Sequence, residues 1–406
     1  MLTKSNIADQ VLLERDQIRI GKEKLYENTR KLEKQNYASA SIYGVSTLRA
    51  TIPKLSKRIE DTSHRIHEGH SGAKFKELNQ FLSLVSGDIC ASITCKVSID
   101  RIFGFLDKCN YISNISAAIG FAIEKECQML YYEKEVPGLL HTLKENYWHQ
   151  STGTSYKIKK IQTLMNRYKV APWKTWGKPR HVVIGGWLLD CFLEVTDWFE
   201  KKSIRKGKKT FPCIVPTPEY LDSKDNLLKE AEAFTPITYP MLIPPRPWTQ
   251  QKNGGYVLDE LTQVHTMVRR GQSHIQGNEP VDFLNKIQKV GYQLNPFVVE
   301  VAEYFFKKGT DIGKFVPIVE YELPPKPFDI DYNKESKHDW RRKATKCRDN
   351  NAQSFRRSCR TRLTIAAVDR FKGKEFFIPH SFDYRGRVYP IPALLSLQDT
   401  DFGKSL

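Results

Sequence analysis

The sequence predicts a mainly α protein with small β elements, and three observations carry that prediction. Apolar residues recur at helical spacing over most of the chain, β-favouring residues cluster in short stretches only, and prolines gather at a few breaks. At 406 residues the chain is long enough for two or three domains with cores of their own.

The elements follow in order. Residues 8–38 read as an exposed helix: Val11, Ile18, Leu25 and Leu32 recur every seven positions, while the companion positions hold Glu14, Gly21, Asn28 and Gln35. One filled heptad position makes a docking stripe, not a coiled-coil seam. Residues 75–108 carry an apolar helical pattern (Phe75, Leu78, Phe81, Leu82, Leu84, Val85). A further helix opens near Ser113 or Asn114, with Ile115, Ile119, Ala122, Ile123 and Cys127 on one face. Residues 180–200, with Trp187, Leu188, Phe192 and Trp198 among many apolar side chains, read as a core helix.

A β-hairpin is expected from Ile204 to Phe211, turning at Lys206-Gly207. Five prolines between 236 and 247 exclude helix and set extended geometry, and Asn253-Gly254-Gly255-Tyr256 makes a tight turn. Helical pattern returns over 281–307, with Pro296 kinking or dividing it. A proline-bounded linker (324–331) leads into a very basic helix pair over 336–372, followed by a strand-like run from Phe376 to Pro379.

Lys plus Arg number 64 against 46 Asp plus Glu, a formal charge of +18, which favours a polyanionic partner and nucleic acid before membrane. No apolar run reaches the ~18 residues of a membrane span, and the N-terminus has neither the apolar core of a signal peptide nor an import-type composition. The eight cysteines (Cys90, Cys95, Cys109, Cys127, Cys191, Cys213, Cys347, Cys359) are scattered without a CxxC pair, so neither a zinc site nor a disulfide framework is expected. His64, His67 and His70 imitate a metal cluster by spacing, but the surrounding Gly69, Ser71 and Gly72 point to a polar loop.

The chemistry concentrates in Phe382-Asp383-Tyr384-Arg385-Gly386-Arg387-Val388-Tyr389-Pro390. Arginine forks grip phosphate bidentately, Gly386 permits close backbone approach, the tyrosines offer faces for base or sugar, and Asp383 can orient an arginine. A solvated surface turn is the alternative for such a string taken alone.

Three segments in order resemble the single-subunit bacteriophage RNA polymerases and their mitochondrial relatives. They are Ile243-Pro244-Pro245-Arg246-Pro247-Trp248-Thr249 with Gly254-Gly255-Tyr256; Glu322-Leu323-Pro324-Pro325-Lys326-Pro327 with Asp329-Ile330-Asp331 and Trp340-Arg341-Arg342; and the Asp383–Arg387 string, which looks like that family's DxxGR signature. The resemblance implies a helical N-terminal promoter-binding and melting domain with a β-hairpin (1–280). A helical thumb with basic helices (281–373) and the first strands of a palm (374–406) would follow.

By resemblance, Asp383, Arg385, Gly386, Arg387 and Tyr389 hold the template strand. A promoter-opening hairpin would be formed by Ile204, Arg205, Lys206, Lys208, Lys209 and Phe211. Ile204 or Phe211 is its apolar wedge, and phosphate binding without wedging is the competing role. An upstream-DNA loop maps to Arg65, Lys74 and Lys76, where a generic surface loop is the alternative. Arg341, Arg342, Arg356, Arg357 and Arg360 supply phosphate contacts on the basic helices, where cations far outnumber acids.

Promoter DNA, template DNA, nascent RNA and ribonucleoside triphosphates are the implied partners of the complete enzyme. The family is typically monomeric, and a phage protein would work in the host cytoplasm. The carboxylates that hold the family's two Mg²⁺ ions, and its nucleotide-binding Lys and Tyr, have no counterparts in this sequence. His338-Asp339-Trp340 only imitates one of the metal motifs. The chain is therefore expected to be the front portion of a DNA-directed RNA polymerase, inactive alone. The alternative is a non-catalytic promoter-DNA-binding module derived from one.

Overall fold

A computed structural model describes residues 4–406 apart from 71, 73–77, 80, 107, 109, 149–153, 208, 250–251, 270–276 and 310–319. It is mainly helical, with strands only in antiparallel two-stranded pairs among the described residues. The chain divides into two compact units: Met1–Glu23 with Glu232–Leu406, and Lys24–Ala231.

The 24–231 unit is built on α2 (Ile42–His67), α3 (Gly87–Ile102), α4 (Ile112–Glu135) and α7 (Lys178–Glu194), with α1 (Lys4–Lys34) contributing its second half. Ser41 caps α2 by accepting the Gly44 N–H. Leu55, Ile59, Ile99, Ile115, Ile119, Ile184, Leu188 and Phe192 form one closed core. α4 and α7 cross where Gly185 meets the Ser116 carbonyl and Gly120 meets the His181 backbone, so neither position has space for a Cβ. The short α5 (Leu139–Asn146) and α6 (Thr154–Arg167) close a smaller core through Leu139, Leu143, Leu164 and Met165. The buried Glu124 carboxylate accepts from Trp173 Nε1, Trp176 N and His181 Nε2, tying α4 to α7 and to the segment before it.

The predicted hairpin is present and longer than expected: β1 (Phe199–Lys206) pairs antiparallel with β2 (Lys209–Pro216), Ile204 opposite Phe211. The core-helix expectation for 180–200 therefore ends early, because Phe199 already starts β1. His64 and His67 lie on the last turn of α2, not in a loop, and His70 follows it. The unit's helices end with α8 (Pro218–Glu232).

In the other unit the helix expected over 281–307 is two helices with a strand between: α10 (Glu279–Ile287), β3 (Gly291–Gln293) and α11 (Pro296–Lys308), preceded by the one-turn α9 (Asp259–Thr262). Pro296 begins α11, where its missing N–H costs nothing, and Asn295 caps it through the N–H groups of Phe297 and Val298. The basic helix pair is instead one helix, α12 (Lys334–Phe371), capped by Asn333. The proline linker lies along it: Trp340 Nε1 donates to the Pro324 carbonyl, and Asn351 holds Tyr321 by both backbone groups. β4 (Glu375–Phe377) pairs with β3, β5 (His380–Phe382) pairs with β6 (Val388–Pro390), and α13 (Asp401–Ser405) comes last.

The first half of α1 corrects the docking-stripe expectation. Its fully buried face is Gln10, Glu14, Gln17 and Gly21, not the heptad apolar set. These polar side chains bond the backbone of the proline-broken segment. Gln10 accepts from Leu242, Gln17 from Tyr239, and Glu14 from Val257 and Leu258.

His265 is half-buried beside Tyr256, and desolvation pushes its imidazole down to about 4. A lowered histidine is neutral in the fold and takes up a proton more readily when unfolded, so this contribution is present above pH 6.5 and lost as pH falls from there toward 4. His380, lowered by burial in the same sense, likewise loses its contribution as pH falls below 6.5. His265→Gln should flatten the fall of the thermal midpoint between those pH values; an unaltered profile would remove His265 from the account.

Candidate nucleic-acid interface

The β5–β6 pairing sets His380 opposite Pro390, Ser381 opposite Tyr389 and Phe382 opposite Val388, leaving Asp383–Arg387 as the connecting turn. Asp383 organises it. One carboxylate oxygen accepts the backbone N–H groups of Arg385 and Arg387, both at 2.9 Å, and the other accepts Arg387 Nε at 2.9 Å. The Asp383 N–H donates to the Arg387 carbonyl at 2.8 Å, closing the loop. Desolvation works to raise the Asp383 carboxyl, but the Arg387 backbone N–H and guanidinium outweigh it and hold the group below its usual range. Gly386 has φ +78° with open space where a Cβ would stand, so its requirement is the left-handed backbone.

Asp383 therefore orients an arginine by its Nε edge, and the Arg387 side chain remains 60% exposed. Arg385 lies over the exposed Tyr384 ring at 5.1 Å and Arg387 over the Tyr389 ring at 5.9 Å. The turn thus displays two guanidinium groups, each beside an aromatic face. That is a surface suited to a phosphate–base chain.

Strong packing fixes this hairpin. Trp248, 1% exposed, donates Nε1–H to the His380 carbonyl at 3.0 Å, and its backbone is bonded in both directions by Asn285. Gly254 sits against the indole with no space for a side chain. Met241 exchanges two backbone bonds with Phe377, and Ile391 donates to the Pro379 carbonyl. A parallel bridge joins Val268 to Phe382. The first and third diagnostic strings of the sequence are thus one packed structure.

The remaining expected residues are dispersed. On α12, Arg341, Arg342 and Arg356 are exposed, with Arg342 paired to Asp339; the Arg357 side chain lies outside the described residues. Arg360 is internal in role, its guanidinium bonded to the buried Asp399 carboxylate and the Ala393 carbonyl. In the 24–231 unit, Phe211 stacks on Tyr111 at 5.1 Å, which anchors it, whereas Ile204 and Arg205 are exposed. Lys208 lies outside the described residues, as do the side chains of Lys206 and Lys209. Arg65 is exposed on the last turn of α2, and Lys74 and Lys76 lie outside the described residues. Among the described residues no group of three or more His, Cys, Asp or Glu side chains is placed to hold a metal ion, and no helix is long and apolar enough to cross a membrane.

Sequence reasoning missed Arg269. Its Nε donates to Ser381 Oγ at 2.8 Å, its Nη2 to the Pro390 carbonyl at 2.6 Å, and it lies over Tyr389 at 5.5 Å. No spacing or composition signal marks it, since Val268-Arg269-Arg270 is an ordinary basic step in a segment without periodicity.

Comparison with known proteins bears on this arrangement. A sequence profile of the family described as DNA-directed RNA polymerase N-terminal matches residues 9–279. The chain is 23% identical to the DNA-directed RNA polymerase of Enterobacteria phage T3, covering 98% of this chain and 46% of that protein. It is 24% identical to T7 RNA polymerase of Escherichia phage T7, with the same coverage of 98% and 46%. Similarity extends to DNA-directed RNA polymerase 1, mitochondrial, of Arabidopsis thaliana, 22% identical over 62% of this chain and 28% of that protein. The chain spans about half the length, or less, of these curated relatives.

Proposed function

The chain belongs to the DNA-directed RNA polymerase N-terminal family, and on that premise we propose that it is the portion of a single-subunit, phage-type RNA polymerase that engages promoter and template DNA. The observation that carries the reading is the Asp383–Arg387 turn, in which the acid fixes Arg387 by one edge while the side chain stays exposed. From this geometry Arg387 takes a template phosphate, Tyr389 lies along base or sugar, and Arg385 with Tyr384 extends the same grip. The exposed arginines of α12, Arg341 and Arg356, add sequence-independent phosphate contacts.

For strand opening, Ile204 is the wedge, because Phe211 is anchored on Tyr111 and only Ile204 is exposed. Arg205 beside it binds phosphate. Arg65 is offered to upstream DNA. The partners of the complete enzyme are then promoter, template, nascent RNA and ribonucleoside triphosphates, with phage genes transcribed in the host cytoplasm.

The homologous RNA polymerases generally use Mg²⁺, but the described residues do not fit that ion. Asp383 is occupied by Arg387 and Asp399 by Arg360, and among the described residues no group of three or more His, Cys, Asp or Glu side chains is placed to hold the ion. No metal-dependent step is assigned to this chain.

Arg387→Ala should weaken binding of labelled single-stranded DNA about tenfold, matching the ~1.4 kcal/mol of a modest hydrogen bond to a charged group. It should also lower the salt slope by roughly 0.7, one phosphate's share. Fluorescence anisotropy across a salt series measures both. A thermal midpoint that falls in step with affinity would make Arg387 structural and defeat the proposal.

A further inference from the structure

The Arg269 guanidinium reaches across the β5–β6 pair: Ser381 is on one strand and Pro390 on the other, and both accept from it. Its backbone N–H extends the same arrangement by donating to the Phe382 carbonyl at 2.8 Å, while the Phe382 N–H donates to Met267. The Tyr389 ring is shared by two cations, Arg269 at 5.5 Å and Arg387 at 5.9 Å. Burial pushes the Arg269 guanidinium below its ordinary value, and Tyr389 and Asp383 pull the other way. A planar fork can meet two acceptors and a ring at once; a lysine ammonium, a point donor on a flexible stem, cannot reproduce this.

We infer that Arg269 is a positioning residue for the strand-gripping turn: it holds the two strands and the Tyr389 ring in the arrangement from which Arg387 reaches a phosphate. The inference rests on the reading of the turn given above. Arg269 acts through Tyr389 and the hairpin: the residue is exposed, but its Nε and Nη2 donors are taken up by Ser381 and Pro390.

The test uses the full chain and a short fluorescein-labelled oligothymidylate, with anisotropy over a salt series and a thermal melt for each variant. Arg269→Ala weakens binding about as much as Arg387→Ala, roughly tenfold, and lowers the salt slope by the same step although it carries no strand contact. The Arg269→Ala/Arg387→Ala double variant is no weaker than either single one, because both remove the same grip. Arg269→Lys behaves like Arg269→Ala.

Additive losses in the double variant, or recovery of binding by Arg269→Lys, overturn the inference, since either makes Arg269 an independent charge. Should Arg269→Ala lower the thermal midpoint, Ser381→Ala removes only one anchor and must still lower the slope; an unchanged slope overturns the inference as well. A silent Arg387→Ala defeats the reading of the turn and this inference together. A normal Arg387→Ala effect beside a silent Arg269→Ala defeats only the inference.

Discussion

Trp248→Ala should destabilise the unit that contains it by about 3–5 kcal/mol, the range for deleting a large buried aromatic. The indole is 1% exposed and forms a cluster with Met267, Leu284 and Phe382, so truncation leaves a cavity under the hairpin itself. It also strips the His380 carbonyl of its Nε1–H donor. Gly254 cannot fill the gap, because its value lies in having no side chain. Trp248→Phe separates the two losses: most of the volume returns while the hydrogen bond stays broken, and about 1 kcal/mol of the cost should remain. Urea unfolding measures both variants. Single-stranded DNA affinity should fall along with stability; a Trp248→Ala protein with the parental midpoint would show that this packing does not support the turn.

Glu14→Ala should cost about 2–4 kcal/mol, because it leaves the half-buried Val257 and Leu258 N–H groups without their acceptor. Burial is the main influence on this carboxyl and raises it above 4.5, against the hydrogen bonds from Val257, Gln10 and Leu258 and the charge of Arg246. A raised carboxyl holds its proton more tightly folded than unfolded. Its contribution is therefore complete below pH 4.5 and is lost as pH rises through the folded value. Glu14→Gln cannot titrate and should remove that part of the pH dependence in denaturant melts. If Glu14→Ala matched the parent protein in those melts, the bonds from α1 would be incidental.

What the sequence could reveal follows from how local each signal is. The β1–β2 hairpin and the Asp383–Arg387 turn were legible because Lys206-Gly207 and Gly386 dictate their own backbone. The three diagnostic strings were legible as strings, but only packing shows Trp248 holding His380. The buried face of α1 was missed because periodicity assigns burial to apolar residues. Here the surface to be covered is the backbone of a proline-broken segment that cannot form a sheet ladder, so Gln10, Glu14 and Gln17 serve as its partners. The 281–307 pattern continued through β3 because apolar spacing does not register a strand of three residues. α12 stays continuous through Asn350 and Asn351, the second of which binds Tyr321. Arg269 depends on partners more than a hundred positions away, a relation no local window contains.

The glycine crossing of α4 and α7 has a mechanical consequence. Main chain rests on main chain there, with no flexible side chain between to absorb displacement. Only the few residues from Val195 to Trp198 separate the end of α7 from the first residue of β1. The β1–β2 arm therefore starts within a few residues of a helix whose own seat has no compliant side chain in it. Where its root stands within this unit depends on that crossing, while Tyr111 under Phe211 steadies the strand beyond it.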